Sequence, residues 1–440
     1  MKIPRVSFFK VLRNANNILR NPLPFHNKNF EKLGDVFEVS LGNGKTAIFT
    51  RDAGMAKHML QDQHRNYHKS PLQSENLAKY IGNGLLTSNG EYWLQQRRLI
   101  QPAFYKKQLD IIAKSIRESI KEELSTIKEG KIEEVRPIMS DLAFKVVAKS
   151  LFSYTDTRNT IRRLQYITEE AQGFLIKEIR QPYKKWWFHL TGQLKKSSKL
   201  TDEARDILYK IIEERRNSEN NYGDLLDMLL ASKYDDGSAM SNNQLIDEIL
   251  ILFVAGHETT SNALSFTLML LAKYPEIQEK VYEEVSQSNS DELSIMEQFT
   301  KGQYTKQCIE EAMRLYPPAY FSDRIAIEDD TYKEFNLKKG DSILISFYEI
   351  HRSKDLWKDP EVFNPDRFHP DRKKEYIKNY FPFGAGPRMC VGSNFAMYEM
   401  IVTISELVKK YKIVTDIDTI QIKPLITLQP SNSHLKMIMR

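Results

Sequence analysis

The spacing of apolar residues along the chain predicts a mostly helical protein. Apolar positions recur every three to four residues over long stretches, which is the pattern of helices that bury one face. The segments that carry this spacing are Glu91–Ile100, Gln108–Ile127, Asp141–Phe152, Ile161–Ile179, Asp202–Asn217, Asp224–Ala231, Asn242–Lys273, Glu276–Ser286, Thr305–Leu315 and Gly392–Tyr411.

The longest predicted helix runs from Asn242 to Lys273. Ser241 is placed to cap its first turn, and Pro275 can open the following helix because proline is tolerated at a helix start. Its stretch Ile249–Ala255 is apolar on every side. A helix without a polar face is expected to pass through the core.

Short β-prone runs appear at the two ends of the chain. Val36–Leu41 and Thr46–Thr50 flank Gly42-Asn43-Gly44, which predicts a hairpin, and Asp341–Ser346 also resembles a strand. No repeat or linker divides the sequence. We therefore predict one mainly α domain with small β-sheets, organised as a single unit over 1–440 with a β-rich part at about 34–60, a helical core at about 90–320, and a cysteine-containing loop with the last helix at 381–411.

Composition narrows the class of protein. The 440 residues are 41% hydrophobic, which excludes a disordered chain, and the net charge of +6 is spread without a basic tract that would bind nucleic acid. Cys308 and Cys390 are the only cysteines, too few for a disulfide framework or a cysteine-rich zinc site. Met1–Leu23 lacks the roughly 18 consecutive apolar residues of a membrane anchor. We expect a cytoplasmic protein.

One cysteine lies in a glycine-rich loop before the last helix. Residues 381–392 read F-P-F-G-A-G-P-R-M-C-V-G. The glycines allow the backbone to approach a flat ligand, and the following helix start should lower the pKa of the Cys390 thiol and favour the metal-binding thiolate. Arg388 adds a cation. A phosphate-binding loop is the alternative, but the Lys-Ser/Thr pair of a P-loop is missing.

The spacing Phe383-x-x-Gly386-x-Arg388-x-Cys390-x-Gly392 resembles the haem-binding signature of the cytochrome P450 family. This resemblance implies the P450 fold, with the long central helix lying over haem b, and makes Cys390 the axial thiolate ligand of the iron. It also assigns Phe383, Gly386 and Arg388 to the haem site.

Glu311 and Arg314 stand three residues apart on a predicted helix, where their side chains can pair. Taken alone, this pair could be an ordinary surface ion pair. With Arg367 inside Asn364–Phe368, it resembles the Glu–Arg–Arg triad of the family. The resemblance implies a structural triad behind the haem, with no part in the chemistry.

Polar residues interrupt the long apolar helix at Ala255-Gly256-His257-Glu258-Thr259-Thr260. Gly256 removes a side chain and Thr259 can bond back to a carbonyl one turn earlier, so the two could open a groove for O2. A satisfied polar kink is the alternative. The motif resembles the acid–alcohol pair of the family, which implies that Thr259 donates a hydrogen bond during oxygen activation and that Glu258 helps to supply protons. His257 receives no role, while Ala255 and Gly256 are assigned to the haem site.

Trp93 and Arg97 stand four residues apart, so both donors share one helical face and could bind a haem propionate. By resemblance, Arg324 is the second propionate arginine. The family also implies that electrons come from a separate ferredoxin and its NAD(P)H-dependent reductase, and we expect a monomer. A haem sensor would need an output module, and a peroxygenase would lack the acid–alcohol pair.

Candidate substrate-pocket residues are unusually polar, although some could face away from the pocket. This polarity favours a small oxygenated substrate, such as a methyl ether that loses formaldehyde on O-demethylation. The chain also resembles bacterial P450s that demethylate 6-O-methyl-galactose. Hydroxylation of a fatty acid or terpenoid is the alternative. The candidates are His68, Gln73, Tyr320, Ser322, Gln429 and Ser431.

Overall fold

The computed structural model describes residues 3–42, 44–153, 158–181, 184–287 and 294–440. Helices dominate these residues, as predicted. In chain order, the α-helices α1 to α19 are Phe8–Arg13, Ala15–Arg20, Leu23–Leu33, Ala53–Lys57, Ala78–Ile81, Gly90–Ile100, Lys106–Leu124, Val135–Leu151, Arg158–Arg180, Lys185–Leu190, Gln193–Arg216, Leu225–Ala231, Asn242–Lys273, Pro275–Ser286, Ile295–Lys301, Gln303–Leu315, Phe347–Ile350, Lys373–Tyr376 and Ser393–Lys410.

The strands form small sheets. A sheet in the order β1-β2-β3-β9-β6-β4 is the largest, β10-β13-β5 form a second, and β11-β12 and β7-β8 form two hairpins. In chain order, β1 to β13 are Arg5–Val6, Val36–Gly42, Lys45–Thr50, Tyr67–His68, Ile132–Glu134, Phe321–Ala326, Asp330–Tyr332, Phe335–Leu337, Ser342–Ser346, Tyr411–Val414, Ile422–Pro424, Leu428–Pro430 and His434–Met439.

The largest sheet joins regions that are far apart in the sequence. Strand β3 pairs in parallel with β9, and β9 pairs antiparallel with β6. The sequence places its β-prone runs at two separate ends of the chain, but the runs Lys45–Thr50 and Ser342–Ser346 lie side by side in one sheet. The prediction of separate β-structure at the two ends is therefore wrong. The predicted hairpin is present as the antiparallel pair β2–β3. Its central residue, Asn43, lies outside the described residues.

The long helix α13 begins and ends where the sequence predicts, and the Ser241 hydroxyl accepts a hydrogen bond from the Gln244 amide. Its all-round burial lies further along than expected. Every residue of 261–272 is buried, whereas Ala255, in the predicted buried stretch, is exposed. That exposure is toward an internal cavity. Helix α13 therefore serves as core in its second half and as a cavity wall in its middle.

Two helices begin well before the predicted residue, and the first 33 residues hold helices that were not predicted. Helix α8 starts at Val135 despite Pro137, because a proline in the first turn loses no intrahelical hydrogen bond. Helix α11 starts at Gln193, where Ser197 is the only buried residue before Ala204. Within the described part of the chain, no helix has the length and apolar character needed to cross a bilayer.

Candidate active site

A cavity of about 360 Å³ lies between the middle of α13 and the cysteine-containing loop. It brings together most of the residues that the sequence singles out for a haem site. Those that line it are Trp93, Arg97, Ala255, Gly256, Thr259, Arg324, Phe383, Arg388 and Cys390.

The loop that carries Cys390 is held by its own backbone and by a close contact with a neighbouring segment. The Cys390 amide donates to the Phe383 carbonyl at 2.9 Å. Gly386 has a φ of +67°, and a Cβ there would lie 2.0 Å from the Leu60 carbonyl oxygen. Only glycine fits this position, so Gly386 contributes by allowing the backbone approach and does not itself line the cavity.

Cys390 is exposed to the cavity, and the protein around the cavity still shields its thiol from bulk water. Burial raises the pKa of Cys390, while a backbone hydrogen bond from Gly392 and the charge of Arg97 act in the opposite direction. The prediction that the helix start lowers the pKa of Cys390 is therefore wrong. Desolvation of the thiol has a larger effect on this pKa than the helix start. A cation at the sulfur would be needed to favour the thiolate.

Four cations border the cavity: Lys69, Arg97, Arg324 and Arg388. Their hydrogen bonds go to neutral groups. Lys69 donates to the Leu85 and Leu86 carbonyls, and Arg97 donates to the Met389 carbonyl at 2.7 Å.

The two remaining cations are held in the same way. Arg324 donates to the Ser322 hydroxyl at 2.7 Å, and Arg388 donates to the Ser88 carbonyl at 3.1 Å while stacking 4.1 Å from the centre of the Trp93 ring. Among the described residues, none of the four cations that border the cavity forms an ion pair with a carboxylate.

The carboxyl groups of Asp323 and Glu248 offset this positive charge only in part, since neither forms an ion pair with one of the four cations. Burial lowers the pKa of Arg324 to about 10, and burial together with repulsion from Arg324 lowers the pKa of Arg388 to about 9. Burial, then Arg388 and Arg324, lower the pKa of Lys69 far below its ordinary value. Buried charges are normally paired, so the cavity has the electrostatics of a site for an anionic ligand.

Behind the loop, a second group of buried charges is fully paired. Arg314 makes two hydrogen bonds to the Glu311 carboxylate, at 2.8 and 2.9 Å, and Arg367 makes a third at 3.2 Å. Arg314 also donates to the carbonyls of His351 and Pro360, both at 2.7 Å. The structure thus brings the predicted triad together in the core.

His351 extends this network to the cysteine-containing loop and was missed in the sequence. Its Nε2 accepts a hydrogen bond from the Phe381 amide at 2.9 Å, at the first residue of the loop. Burial, followed by the charges of Arg314 and Arg352, lowers the pKa of His351 to about 3, so the ring is neutral. A lone histidine before an arginine carries no sequence signal for such a role.

The cytochrome P450 family model matches residues 4–437. This chain belongs to the cytochrome P450 family. Cytokinin hydroxylase of Arabidopsis thaliana is 32% identical to this P450 over 408 residues, covering 90% of this chain and 79% of that protein. Cyclooctat-9-en-7-ol 5-monooxygenase of Streptomyces melanosporofaciens is 27% identical over 405 residues, covering 92% and 87%.

The haem domain of cytochrome P450DA shares the fold, with a TM-score of 0.84, 20% identity, and coverage of 95% of this chain and 93% of that one. This P450 is a haem-thiolate monooxygenase whose cofactor is iron protoporphyrin IX. The site fits haem. A cysteine that can bind iron lines the cavity, and the four cations without ion-pair partners can bind the two negatively charged propionates.

Lys69 is the one of the four cations that the sequence did not predict as part of the site. It follows the short strand β4, where no periodicity marks it, and its side chain is 8% exposed. A lysine is rarely so buried without a charged partner. Burial is therefore the signal that identifies Lys69 as a site residue, and the sequence alone does not show it.

The acid–alcohol segment divides between two environments. Thr259 lines the cavity and its hydroxyl donates to the Ala255 carbonyl at 2.7 Å, which is the predicted back-bond. Glu258 is buried and faces the C-terminal hairpin β11–β12. Gly256 has a packing role as well, since a Cβ there would lie 3.0 Å from a methyl group of Val147 on α8. His257 does not line the cavity.

Four of the six predicted pocket residues of this P450 lie elsewhere. Gln429 donates to the Glu258 carboxylate, and the Tyr320 hydroxyl donates to the Leu425 carbonyl at 2.8 Å. Ser431 is exposed in the tail, and His68 lies on β4 outside the cavity lining.

Gln73 and Ser322 do line the cavity, but both are engaged within the protein. The Gln73 amide donates to the Asp323 carboxylate, and the Ser322 hydroxyl accepts a hydrogen bond from Arg324. The polarity predicted for the pocket is therefore wrong for most of its members.

Proposed function

We propose that this P450 hydroxylates a largely apolar substrate of the terpenoid class. The observation that carries this proposal is the character of the cavity wall. Three of its uncharged polar side chains are already bonded within the protein: Gln73 to Asp323, Ser322 to Arg324, and Thr259 to the Ala255 carbonyl. A sugar bound there would leave hydroxyl groups without partners. Helices α8, α12 and α13 contribute apolar side chains, among them Val147, Leu151, Leu225 and Ile251.

O-demethylation of a small methyl ether such as 6-O-methyl-galactose gains no support from this wall. One of the relatives is named for the oxidation of cyclooctat-9-en-7-ol, and that name gives its substrate a single hydroxyl group. That chemistry agrees with an apolar cavity that offers few free hydrogen-bonding groups. We therefore favour a terpenoid as the substrate.

Haem, when bound, supplies the activation of O2 and the insertion of one oxygen atom into the substrate. Cys390 would hold the haem iron, because this is the cysteine that lines the cavity. We assign the propionates to the four cations Lys69, Arg97, Arg324 and Arg388. Their positive charge is otherwise unpaired, and hydrogen bonds to a charged partner are the stronger kind.

Thr259 and Glu258 would supply protons for the reaction, Thr259 by donating a hydrogen bond and Glu258 as the proton source. The Thr259 hydroxyl donates to the Ala255 carbonyl and can turn to donate into the cavity instead. Glu258, the next residue, is buried behind it and can exchange protons with solvent through side-chain motion. The apolar wall keeps other water away from the reacting face.

Electrons would come from a separate ferredoxin and its NAD(P)H-dependent reductase. An iron–sulfur cluster usually takes four cysteine ligands, and the sequence has only Cys308 and Cys390. The site itself uses Cys390. P450s receive electrons from a redox partner, and we propose a ferredoxin as that partner here.

The assignment of Cys390 is tested by Cys390→Ala, with Cys308→Ala as the matched control. Cys308 is buried in the core, away from the cavity. We expect the reduced, CO-bound Cys390→Ala protein to lose the thiolate-type Soret band and the control to keep it. If Cys390→Ala keeps the band, the ligand is a different residue.

The substrate class is tested by the low-spin to high-spin shift with farnesol, camphor, laurate and 6-O-methyl-galactose. We expect the largest shift with a terpenoid and none with the sugar, because the wall offers few free hydrogen-bonding groups. Product analysis by mass spectrometry with ferredoxin and reductase then identifies the oxidised carbon. A shift with 6-O-methyl-galactose alone would overturn the terpenoid assignment and restore O-demethylation.

A further inference from the structure

The carboxylate of Glu258 is held from outside the cavity by the C-terminal tail. Its Oε1 accepts a hydrogen bond from the Thr427 hydroxyl at 2.8 Å and another from the Gln429 amide. Both donors are buried, and neither lines the cavity. Two donors on a single oxygen fix the carboxylate more firmly than one would, because each bond to a charged acceptor is strong.

A third residue fixes the direction of these bonds. The Asn262 amide donates to the Thr427 hydroxyl at 3.0 Å, so the Thr427 proton is free to point at Glu258. Asn262 stands one turn after Glu258 on α13, on the same face of the helix. The carboxylate therefore meets a polar cradle, defined as Thr427, Gln429 and Asn262, inside an otherwise apolar region.

The cradle is also connected to the cavity wall. The Leu428 amide, between the two donors, donates to the Pro318 carbonyl at 2.9 Å. Pro318 and Ala319 line the cavity. Tyr320 adds a second tie through its hydroxyl, which donates to the Leu425 carbonyl at 2.8 Å. The segment 318–320, which contributes to the cavity wall, thus also fixes the positions of Thr427 and Gln429.

We infer that Gln429 and Thr427 are positioning residues for proton delivery. They hold the Glu258 carboxylate outside the cavity and set how readily it turns to supply protons on the side of Thr259. This inference rests on the proposed proton-supply role of Glu258. Neither residue contacts the cavity, so their effect must pass through Glu258.

The first test is spectroscopic and needs no turnover. The infrared carboxylate band of Glu258 is isolated by subtracting the spectrum of Glu258→Gln. We expect the band to shift in Gln429→Met and in Thr427→Val, since each removes one donor at nearly unchanged volume. Asn432→Ala is the matched control, because Asn432 braces the same tail through Gln421 and Thr419 without contacting Glu258. An unshifted band in both variants would overturn the cradle.

The second test measures peroxide released per product, with the panel compound that gives the largest high-spin shift. We expect a several-fold change in Gln429→Met, with the Soret band and the KM for that compound unchanged. In the Glu258→Gln background, Gln429→Met should add nothing, because coupled residues are not additive. An equal effect in that background would show that Gln429 acts elsewhere and would overturn the inference.

The outcomes separate this inference from the proposed function. A wild-type protein that shows the thiolate Soret band and hydroxylates a terpenoid supports the proposed function, whatever the tail variants do. If Glu258→Gln leaves the peroxide ratio unchanged, Glu258 supplies no protons and the positioning role falls with it.

Discussion

Two groups of buried cations in this P450 differ in what neutralises them. Arg314 and Arg367 share the carboxylate of Glu311, at 2.8 to 3.2 Å, inside the core. The four cations that border the cavity have only carbonyls, a hydroxyl and amides as hydrogen-bond partners among the described residues. The first group is complete without any other molecule. The second has no ion-pair partner among the described residues, and an anionic ligand would supply one.

This difference separates residues that maintain the fold from residues that bind. A buried ion pair that loses one member leaves a desolvated charge, so its loss destabilises the folded protein. A buried cation without a partner already carries that cost, and its removal relieves it. The same type of substitution should therefore have opposite effects on the two groups, and the predictions below test that.

The largest effect should come from Glu311→Gln. The change keeps the side-chain shape but leaves Arg314 and Arg367 without a carboxylate in the core. We expect the free energy of unfolding, measured by urea denaturation, to fall by about 3–5 kcal/mol. Glu203→Gln breaks an exposed pair with Arg163 and should cost a small fraction of that. Equal losses would mean that burial does not decide the effect.

A smaller and opposite effect should come from Arg388→Gln. Without haem, the variant should unfold at the same or a higher free energy, because repulsion from Arg324 is removed. With haem, we expect about tenfold faster transfer of haem to apomyoglobin, since a hydrogen bond to a charged group contributes roughly 1.5–3 kcal/mol. Arg98→Gln, an exposed neighbour on α6, is the control and should change neither quantity. Destabilisation of the haem-free variant would contradict the comparison.

The effect that is smallest per pH unit concerns acid stability at His351, beside the paired cations. His351 has a pKa of about 3 when folded against 6.5 for an ordinary histidine, so the unfolded chain binds the extra proton first. Stability should thus fall as the pH drops from about 6.5 toward 3, by up to about 1.4 kcal/mol per pH unit from this group. His351→Gln retains an acceptor for the Phe381 amide and should reduce that slope.

The control for the acid measurement is His369→Gln, which removes an exposed histidine beside Asp371. The slope of unfolding free energy against pH, from urea titrations between about pH 6 and 4, should stay at the wild-type value in this control. A wild-type slope in His351→Gln as well would show that His351 is not kept neutral by folding.

Local signals predicted much of the paired group and of the helical fold. Glu311 and Arg314 are three residues apart on α16, so their contact follows from helix geometry alone. Helix α13 has a capping serine at its start, and the sequence gives both of its ends. The fold class is confirmed by the family match over residues 4–437. That the whole chain forms one domain remains a prediction.

The unpaired group could be predicted only in part, because its members come from four separate segments. Lys69 has no periodic neighbour that would place it, and it meets Arg324 and Arg388 only through the fold. Gln429 was misplaced for a related reason. It stands on the three-residue strand β12, which is too short for alternation to show which face points to the cavity.

The contact between Gly386 and the carbonyl of Leu60 has an evolutionary consequence. A side chain at residue 386 would first meet main-chain atoms of Leu60 and Gln61. Because every amino acid carries these atoms, no substitution at Leu60 or Gln61 alone can make room for a side chain there. Gly386 is therefore confined to a single amino acid, whatever sequence the facing segment acquires.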